Sequence, residues 1–128
     1  MASELGQHGR YRTNVWDYAG INTFSEGRRD ELAMHPTVKP IALVADAIRD
    51  CSRHNGIVLD CFAGSGTTLV AAKKTGRRGY GIEFDPHYVD AAIERLEGLV
   101  DLRAVHAETE MTFDEVKAIR AQETINVA

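Results

Sequence analysis

The chain has 128 residues, of which 44% are hydrophobic and 27% charged, and its formal net charge is −4. This length predicts one small domain with its own core, about half the size of a complete nucleotide-dependent transferase. No stretch approaches the ~20 apolar residues of a membrane span and the N-terminus has no signal-peptide core, so we expect a cytoplasmic protein with no membrane partner. Cys51 and Cys61 lack the spacing of a zinc site or a disulfide framework, which predicts free thiols and no metal.

The charge is unevenly distributed along the chain. Residues 1–40 carry five basic and five acidic groups, residues 41–82 six against three, and residues 83–128 four against eleven. A polyanion would therefore meet the first two thirds of the chain. The densest basic cluster, residues 73–78, lies at the end of a predicted helix. Its cations could contact DNA, or they could simply complement the negative end of the helix dipole, and the sequence leaves both explanations open.

The N-terminal third carries weak structural signals. Residues 1–9 are polar and glycine-containing, which predicts disorder, and residues 10–128 are expected to form a single domain. Residues 10–18 have the β character of one hairpin strand, and residues 19–32 form a loop long enough to be functional or mobile. Pro36 and Pro40 then fix an extended entry to a helix that runs to about Asp50. Its sheet-facing stripe is predicted to consist of Leu43, Val44, Ala47, Ile48 and Cys51.

The central stretch predicts a strand, a tight turn and a helix in succession. The apolar run at residues 57–59 is typical of a buried parallel strand and ends at Asp60. Gly64 and Gly66 allow a sharp turn, and a helix follows from Thr67 to its end at Gly76. Unpaired amides and the positive end of the helix dipole point into that turn, which favours a carboxylate or phosphate there.

The ligand of this turn is narrowed by the next strand. The turn lacks both the third glycine of the dinucleotide pattern and the Gly-Lys-Ser/Thr ending of a Walker loop. Residues 79–82 form the next predicted strand, and Glu83 follows it, 19 residues after Gly64. A carboxylate at that strand tip can accept both hydroxyls of a ribose, which favours an adenosine-containing ligand. An ordinary surface acid at a strand end is the alternative for Glu83.

Two helices are predicted after Glu83. Asp85 caps the first, Pro86 lies in its first turn and Gly98 stops it. Its buried face is predicted to consist of Val89, Ala92, Ile93 and Leu96. A short strand is expected at residues 102–106. Thr112 and Glu115 form a capping box for the last helix. Met111 and Val116 are placed for a hydrophobic staple, and the packed stripe of that helix is predicted to be Phe113, Val116 and Ile119.

Three ordered motifs resemble the C-terminal half of DNA methyltransferases that modify exocyclic amino groups. They are His35-Pro36-Thr37-Val38-Lys39-Pro40, then Asp60-Cys61-Phe62-Ala63-Gly64-Ser65-Gly66-Thr67-Thr68, then Gly81-Ile82-Glu83-Phe84-Asp85-Pro86-His87-Tyr88. The order is that of the permuted class, in which the catalytic motif precedes the cofactor motifs. The resemblance implies a partial Rossmann-like α/β fold, mostly parallel, and the cofactor S-adenosylmethionine.

The resemblance also implies which residues bind the cofactor. The methionine moiety would lie against Asp60, Phe62, Gly64, Ser65 and Gly66, with Thr67 and Thr68 at the helix entry. Glu83 would take the ribose and Phe84 would lie beside the adenine. Thr37 and Lys39 would line the pocket from the side. Loop packing remains the alternative for Lys39, and core packing for Phe62; for Trp16 and Tyr18 core packing is favoured over contact with the extruded base.

The sequence departs from the family pattern in one serious respect. Its prolines, at positions 36, 40 and 86, are never adjacent. The family's catalytic motif is an Asp, Asn or Ser followed by Pro-Pro and an aromatic, which holds the flipped base. Asp85-Pro86-His87-Tyr88 resembles this motif, but it lies just after Glu83, the acid expected to bind the ribose. Family members carry such a sequence there as the cap of the next helix and not as the catalytic motif. A smaller departure is Cys61, which stands where proline is common. We therefore predict no catalytic residue in this chain.

These motifs predict the cofactor-binding part of a DNA methyltransferase acting on adenine or cytosine, as a truncated product or one piece of a split enzyme. A second chain or a missing N-terminal segment would supply the catalytic motif, and DNA would be met through the complete enzyme. Without that segment the strand at residues 57–59 would be exposed, so a homo-oligomer is expected. A non-catalytic cofactor-binding subunit is the main alternative, and an RNA or small-molecule methyltransferase is the weaker one.

Overall fold

The computed structural model describes residues 15–18 and 39–127. Within them the elements in chain order are α1 (Ile41–Cys51), β1 (Ile57–Asp60), α2 (Thr67–Lys74), β2 (Arg78–Gly81), α3 (Pro86–Leu99) and α4 (Phe113–Val127). This succession confirms the expected α/β class. The expected disorder of residues 1–9 and the loop at residues 19–32 lie outside the described part, and the single-domain boundary at residue 10 stays a prediction.

Strands β1 and β2 form a parallel pair with helix α2 as the crossover between them. Ile57 pairs with Arg78 and Asp60 pairs with Gly81, so both strands end at the same edge of the sheet. The second strand occupies Arg78–Gly81, one residue earlier than predicted. The parallel pairing was predicted correctly, because a βαβ unit places consecutive strands side by side in the same direction.

The core lies between the sheet and helices α1 and α2. Its buried members are Ala45, Ile48, Ala71 and Ala72. Val58 packs against them from β1. A side chain at Gly79 would come within 3.2 Å of Ala72 and Leu69, so glycine there lets α2 approach β2 closely. Cys51 is exposed, which corrects its place in the predicted stripe of α1.

The opposite face of the sheet is open among the described residues. Ile57, Leu59 and Tyr80 point to that face, with relative exposures of 61%, 60% and 53%. The prediction of a buried strand is therefore wrong for β1, although its edge exposure agrees with the expectation for a chain that lacks the catalytic half. Parallel sheets are ordinarily covered on both faces, whereas in the described part α2 packs on one face of this sheet and α1 packs on α2.

The helix termini mostly follow the sequence signals. The Asp85 carboxylate accepts a hydrogen bond from the His87 amide at 2.9 Å, and Thr112 and Glu115 form the reciprocal bonds of a capping box. Gly76 adopts a left-handed conformation after α2. Helix α3 extends past Gly98 to Leu99, so Gly98 does not stop it.

Two predictions for the C-terminal third are wrong. The expected strand at residues 102–106 is reduced to an isolated antiparallel bridge between Val105 and Thr112. Helix α4 is exposed along most of its length, and Ile119 is 47% exposed, so the predicted stripe packs only through its first turns. Residues 117–126 of α4 are all exposed.

Near the N-terminus, residues 15–18 form no regular strand in the structure, while residues 10–14 of the predicted strand lie outside the described part. Trp16 and Tyr18 are half-buried. The Tyr18 hydroxyl donates a hydrogen bond to the Asp46 carboxylate on α1. None of the described helices is long and apolar enough to cross a membrane.

Candidate cofactor site

The candidate site lies where β1 and β2 end. The Ile82 amide donates to the Asp60 carbonyl at 2.9 Å, and the Ala63 amide donates to the Ile82 carbonyl at 3.0 Å. These bonds continue the ladder beyond the strands and hold the turn after β1 against the tip of β2. The glycine turn and Glu83, distant in the sequence, are thereby brought together.

The turn is built on two left-handed glycines. Gly64 has a φ of 51° and Gly66 a φ of 76°, a region that residues with a Cβ rarely adopt. The Gly66 amide donates to the Ala63 carbonyl at 2.9 Å, and Gly66 caps the N-terminus of α2. A strand, a tight turn and a helix N-terminus are thus arranged as predicted, with the helix dipole directed at the turn.

Asp60 ties the strand to the helix that follows. Its Oδ1 accepts the Phe62 amide at 3.0 Å and its Oδ2 accepts the Thr68 hydroxyl at 2.5 Å. Both carboxylate oxygens therefore stabilise the turn. Whether Asp60 and Thr68 also touch a cofactor stays a prediction.

Glu83 binds three backbone amides. Its Oε2 accepts from Gly64 at 2.7 Å, and its Oε1 accepts from Phe84 at 2.9 Å and from Asp85 at 3.0 Å. Hydrogen bonds to an ionised acceptor are about twice as strong as neutral ones. The carboxylate is therefore held in one orientation and connects the tip of β2 to the glycine turn, so it is more than an ordinary surface acid.

Two aromatic rings stand beside this cluster. Phe62 is 90% exposed and Phe84 is 100% exposed. The alternative that Phe62 packs in the core is therefore wrong. Fully exposed phenylalanines are costly in water, and their position next to the turn and next to Glu83 suits flat or apolar groups of a ligand.

The side chains of Ser65 and Thr67 are buried below the turn. Their relative exposures are 6% and 8%, and both bind Arg95, which is itself 6% exposed. The sequence reasoning missed Arg95. The available signal was its position in α3, three residues after Ala92, where a charged residue interrupts the buried side of an amphipathic helix and needs polar partners.

The side of the predicted pocket is described only in part. Lys39 is exposed, and no contact joins it to the glycine turn in the described residues. Thr37 and His35 lie outside the described part. The described residues contain no group of three or more His, Cys, Asp or Glu side chains that could hold a metal ion.

A separate groove of about 470 Å³ lies between α3 and α4. Val89, Ile93, Phe113 and Val116 are among its lining residues, and it includes none of the predicted cofactor residues. Residues of both helices and of the connecting segment 104–107 form its walls. The cofactor cluster instead lies on an open sheet edge, and its assignment rests on the chemistry of the glycine turn and Glu83.

The fold and the site together indicate a class of nucleotide-binding protein. A parallel βαβ unit with a glycine turn after one strand and a carboxylate after the next is an adenosine-type nucleotide-binding arrangement. A profile of the DNA methylase family matches residues 2–94. The chain therefore belongs to the DNA methylase family, and the resemblance inferred from its motifs is confirmed.

The alignments with two sequence relatives cover 70% of this chain but only 29% of each relative. The chain is 38% identical over 89 residues to the type II methyltransferase M.ScaI of Streptomyces caespitosus, covering 70% of this chain and 29% of that protein. It is 39% identical over 90 residues to DNA adenine methyltransferase YhdJ of Escherichia coli strain K12, covering 70% and 29%. The crystal structure of the M1.HpyAVI–SAM complex matches 48% of this chain and 31% of that one, with 45% identity and a TM-score of 0.47. The chain thus spans less than a third of each.

Proposed function

We propose that this chain is the S-adenosylmethionine-binding part of a cytoplasmic DNA methyltransferase that acts on the exocyclic amino group of adenine or cytosine. The observation that carries the proposal is the 2.7 Å hydrogen bond between Glu83 and the Gly64 amide. This bond brings Glu83, the carboxylate proposed to bind the ribose, and the glycine turn together in one site. Membership of the DNA methylase family supplies the reaction class.

The residues present fit this cofactor. The glycine turn offers backbone amides and a helix N-terminus to the carboxylate of the methionine end. Glu83 offers an ionised acceptor to the ribose hydroxyls, and the exposed rings of Phe62 and Phe84 offer apolar surface to the methionine chain and the adenine. When bound, the cofactor would supply an electrophilic methyl group.

This chain binds and orients the cofactor, and the group that holds the target base must come from another segment or another chain. No adjacent prolines occur in the 128 residues, so the clamp for a flipped amino group is absent from this chain. Orientation of the reactants can supply roughly 7–11 kcal/mol of barrier reduction. Binding of cofactor without that clamp leaves the reaction slow, so the proposed DNA partner is engaged by the complete enzyme.

The missing part has a place to dock. Strand β1 pairs only with β2 in the described residues, so its other edge has backbone groups without a strand partner there, and its open face carries exposed apolar side chains. A second polypeptide, or a further segment of the same protein, could add a strand beside β1 and pack another element over the open face. We propose that this partner carries the catalytic motif.

Cofactor binding is tested by calorimetric titration of the whole chain with S-adenosylmethionine and S-adenosylhomocysteine. We expect Glu83→Ala to weaken both ligands by about 10- to 100-fold, because a charge-assisted hydrogen bond contributes about 1.5–3 kcal/mol. Glu108→Ala, at an exposed acid away from the site, is the matched control. Unchanged affinity in Glu83→Ala, with the fold retained, would reject the assignment.

Catalysis is tested by methyl transfer from radiolabelled S-adenosylmethionine to unmethylated DNA. We expect none from the chain alone and activity after co-expression with a segment carrying a Pro-Pro-aromatic motif. Transfer by a verified monomer of this chain would show that the clamp is not required. Cofactor binding with no activity in any such complex would favour a non-catalytic binding subunit.

A further inference from the structure

Helix α3 supports the glycine turn from below through a buried arginine. Arg95 Nη1 donates to the Thr67 hydroxyl at 2.7 Å, to the Ser65 carbonyl at 3.2 Å and to the Ser65 hydroxyl at 3.3 Å. These acceptors lie immediately before and after Gly66. One guanidinium therefore holds both sides of the turn.

The turn also lies directly against the backbone of α3. A Cβ at Gly66 would come within 2.9 Å of the Cβ of Ala92, one helical turn before Arg95. Ala92 is 6% exposed. The glycine permits the close contact, and the arginine fixes the position of the turn on the helix.

The energetics favour a single position of the turn. Burying a guanidinium is costly unless its donors are satisfied. All three acceptors are reached by Nη1, whereas Nε is buried with no hydrogen-bond partner among the described residues. Moving the turn away from α3 would separate Arg95 from three acceptors at once and leave more of the buried guanidinium without partners. A turn held in this way pays little further ordering cost when a ligand binds.

We propose that Arg95 is a positioning residue for the cofactor turn, a role that rests on the proposed function. It holds Ser65 and Thr67 from the buried side, and it acts on the ligand only through the turn. Its effect falls on the methionine end of the cofactor, which the turn binds. The ribose end would be held by Glu83. One of its three amide bonds comes from Gly64 in the turn, but the other two come from Phe84 and Asp85, so they remain when the turn shifts and the ribose end should be affected less.

The test compares two ligands that differ at the methionine end. S-adenosylhomocysteine has the amino-acid end and 5′-methylthioadenosine lacks it. We expect Arg95→Met to weaken S-adenosylhomocysteine about tenfold or more, the effect of losing hydrogen bonds to a charged donor, and 5′-methylthioadenosine by less than about twofold. Arg95→Lys, which keeps one donor group, should recover part of the lost affinity.

Two control variants separate positioning from stability. Ile48→Val loosens the core beside α1 and should lower the melting temperature without changing the ratio of the two affinities. Arg103→Met removes an exposed arginine whose side chain is 75% accessible and should change neither affinity. An equal loss of both ligands in Arg95→Met, matching that in Ile48→Val, would overturn the proposal.

Amide hydrogen exchange of the ligand-free protein tests the turn directly. Arg95→Met should speed exchange at Gly64 and Gly66 by about tenfold, while the amides of α1 keep their wild-type rates. Unchanged exchange at the turn would overturn the positioning role whatever the ligands do. If the wild type binds neither ligand, the proposed function is rejected and with it the cofactor role of Arg95.

Discussion

At the scale of single residues, the site depends on positions where only glycine fits. Gly66 combines a φ of 76° with a contact to Ala92 that leaves no room for a Cβ. A left-handed conformation costs a residue with a Cβ about 1–3 kcal/mol. The steric contact adds to this cost, so the two contributions can be separated by mutating the residue on the other side.

We expect Gly66→Ala to lower the free energy of unfolding by about 1–3 kcal/mol or more. Adding Ala92→Gly should remove the clash and leave the part due to φ, once the cost of Ala92→Gly alone, about 0.5–1 kcal/mol in a helix interior, has been subtracted. Gly98→Ala is the control: nothing lies within 4 Å of that position in α3, so it should be neutral or stabilising by about 0.5 kcal/mol. Urea denaturation of the wild type and of the four variants (Gly66→Ala, Ala92→Gly, the double variant and Gly98→Ala) measures these free energies. A Gly66→Ala variant as stable as wild type would contradict this account.

At the scale of elements, α4 is held at its start and little elsewhere. The Glu115 carboxylate accepts hydrogen bonds from the Thr112 amide and hydroxyl, each at 2.8 Å. Lys117 on α4 contacts Glu94 on α3 at 2.6 Å. The hydrogen bond to the Thr112 amide, and then that to its hydroxyl, lower the pKa of Glu115 below its ordinary value of 4.5.

The stability of the start of α4 should therefore depend on pH. Because the pKa of Glu115 is lower in the folded state, its contribution is complete above the ordinary pKa and is lost as the pH falls through the lowered one. NMR titration of the Glu115 carboxyl measures its pKa, and titration of the Thr112 amide shift follows the hydrogen bond that depends on it. Thr112→Val should move the pKa of Glu115 part of the way back up, since the hydrogen bond from the backbone amide of residue 112 remains.

Glu115→Gln is the matched control for that titration. It keeps an acceptor at the same place but does not ionise, so the Thr112 amide should lose its response to pH in this range. A response that persists in Glu115→Gln would mean that another group controls the start of α4.

At the scale of the whole molecule, the main feature is a sheet covered on one face. The described sheet has two strands, and Ile57, Leu59 and Tyr80 expose apolar surface on its uncovered side. Unpaired strand edges and apolar patches favour association with another chain. The purified chain is therefore expected to self-associate until a partner covers β1.

We expect Leu59→Lys to shift the sedimenting species towards the monomer, because it places a charge on the uncovered face and its side chain is already largely exposed. Ile125→Lys is the control, since Ile125 is 70% exposed but lies on α4, away from the sheet. Sedimentation velocity over a range of concentrations measures the distribution. A wild-type chain that is monomeric throughout, or an equal effect of Ile125→Lys, would show that the sheet does not drive association.

The sequence by itself determined the features that depend on neighbours a few residues apart. The Asp85 cap, the Thr112 and Glu115 capping box and the left-handed glycines were all predicted from local patterns, because each is stabilised by groups within about one turn. The order of strand, turn, helix and strand followed from the same local signals, and with it the α/β class and the family.

Only the tertiary structure decided what depends on distant residues and on which surfaces are covered. The bond from Gly64 to Glu83 spans 19 positions and those from Arg95 to the turn span 28 and 30, and no local pattern specifies which buried arginine meets which hydroxyl. The burial of β1 and α4 was misjudged for the same reason. Apolar residues are buried only where another element covers them, and in the described part of the chain no element covers that face of the sheet.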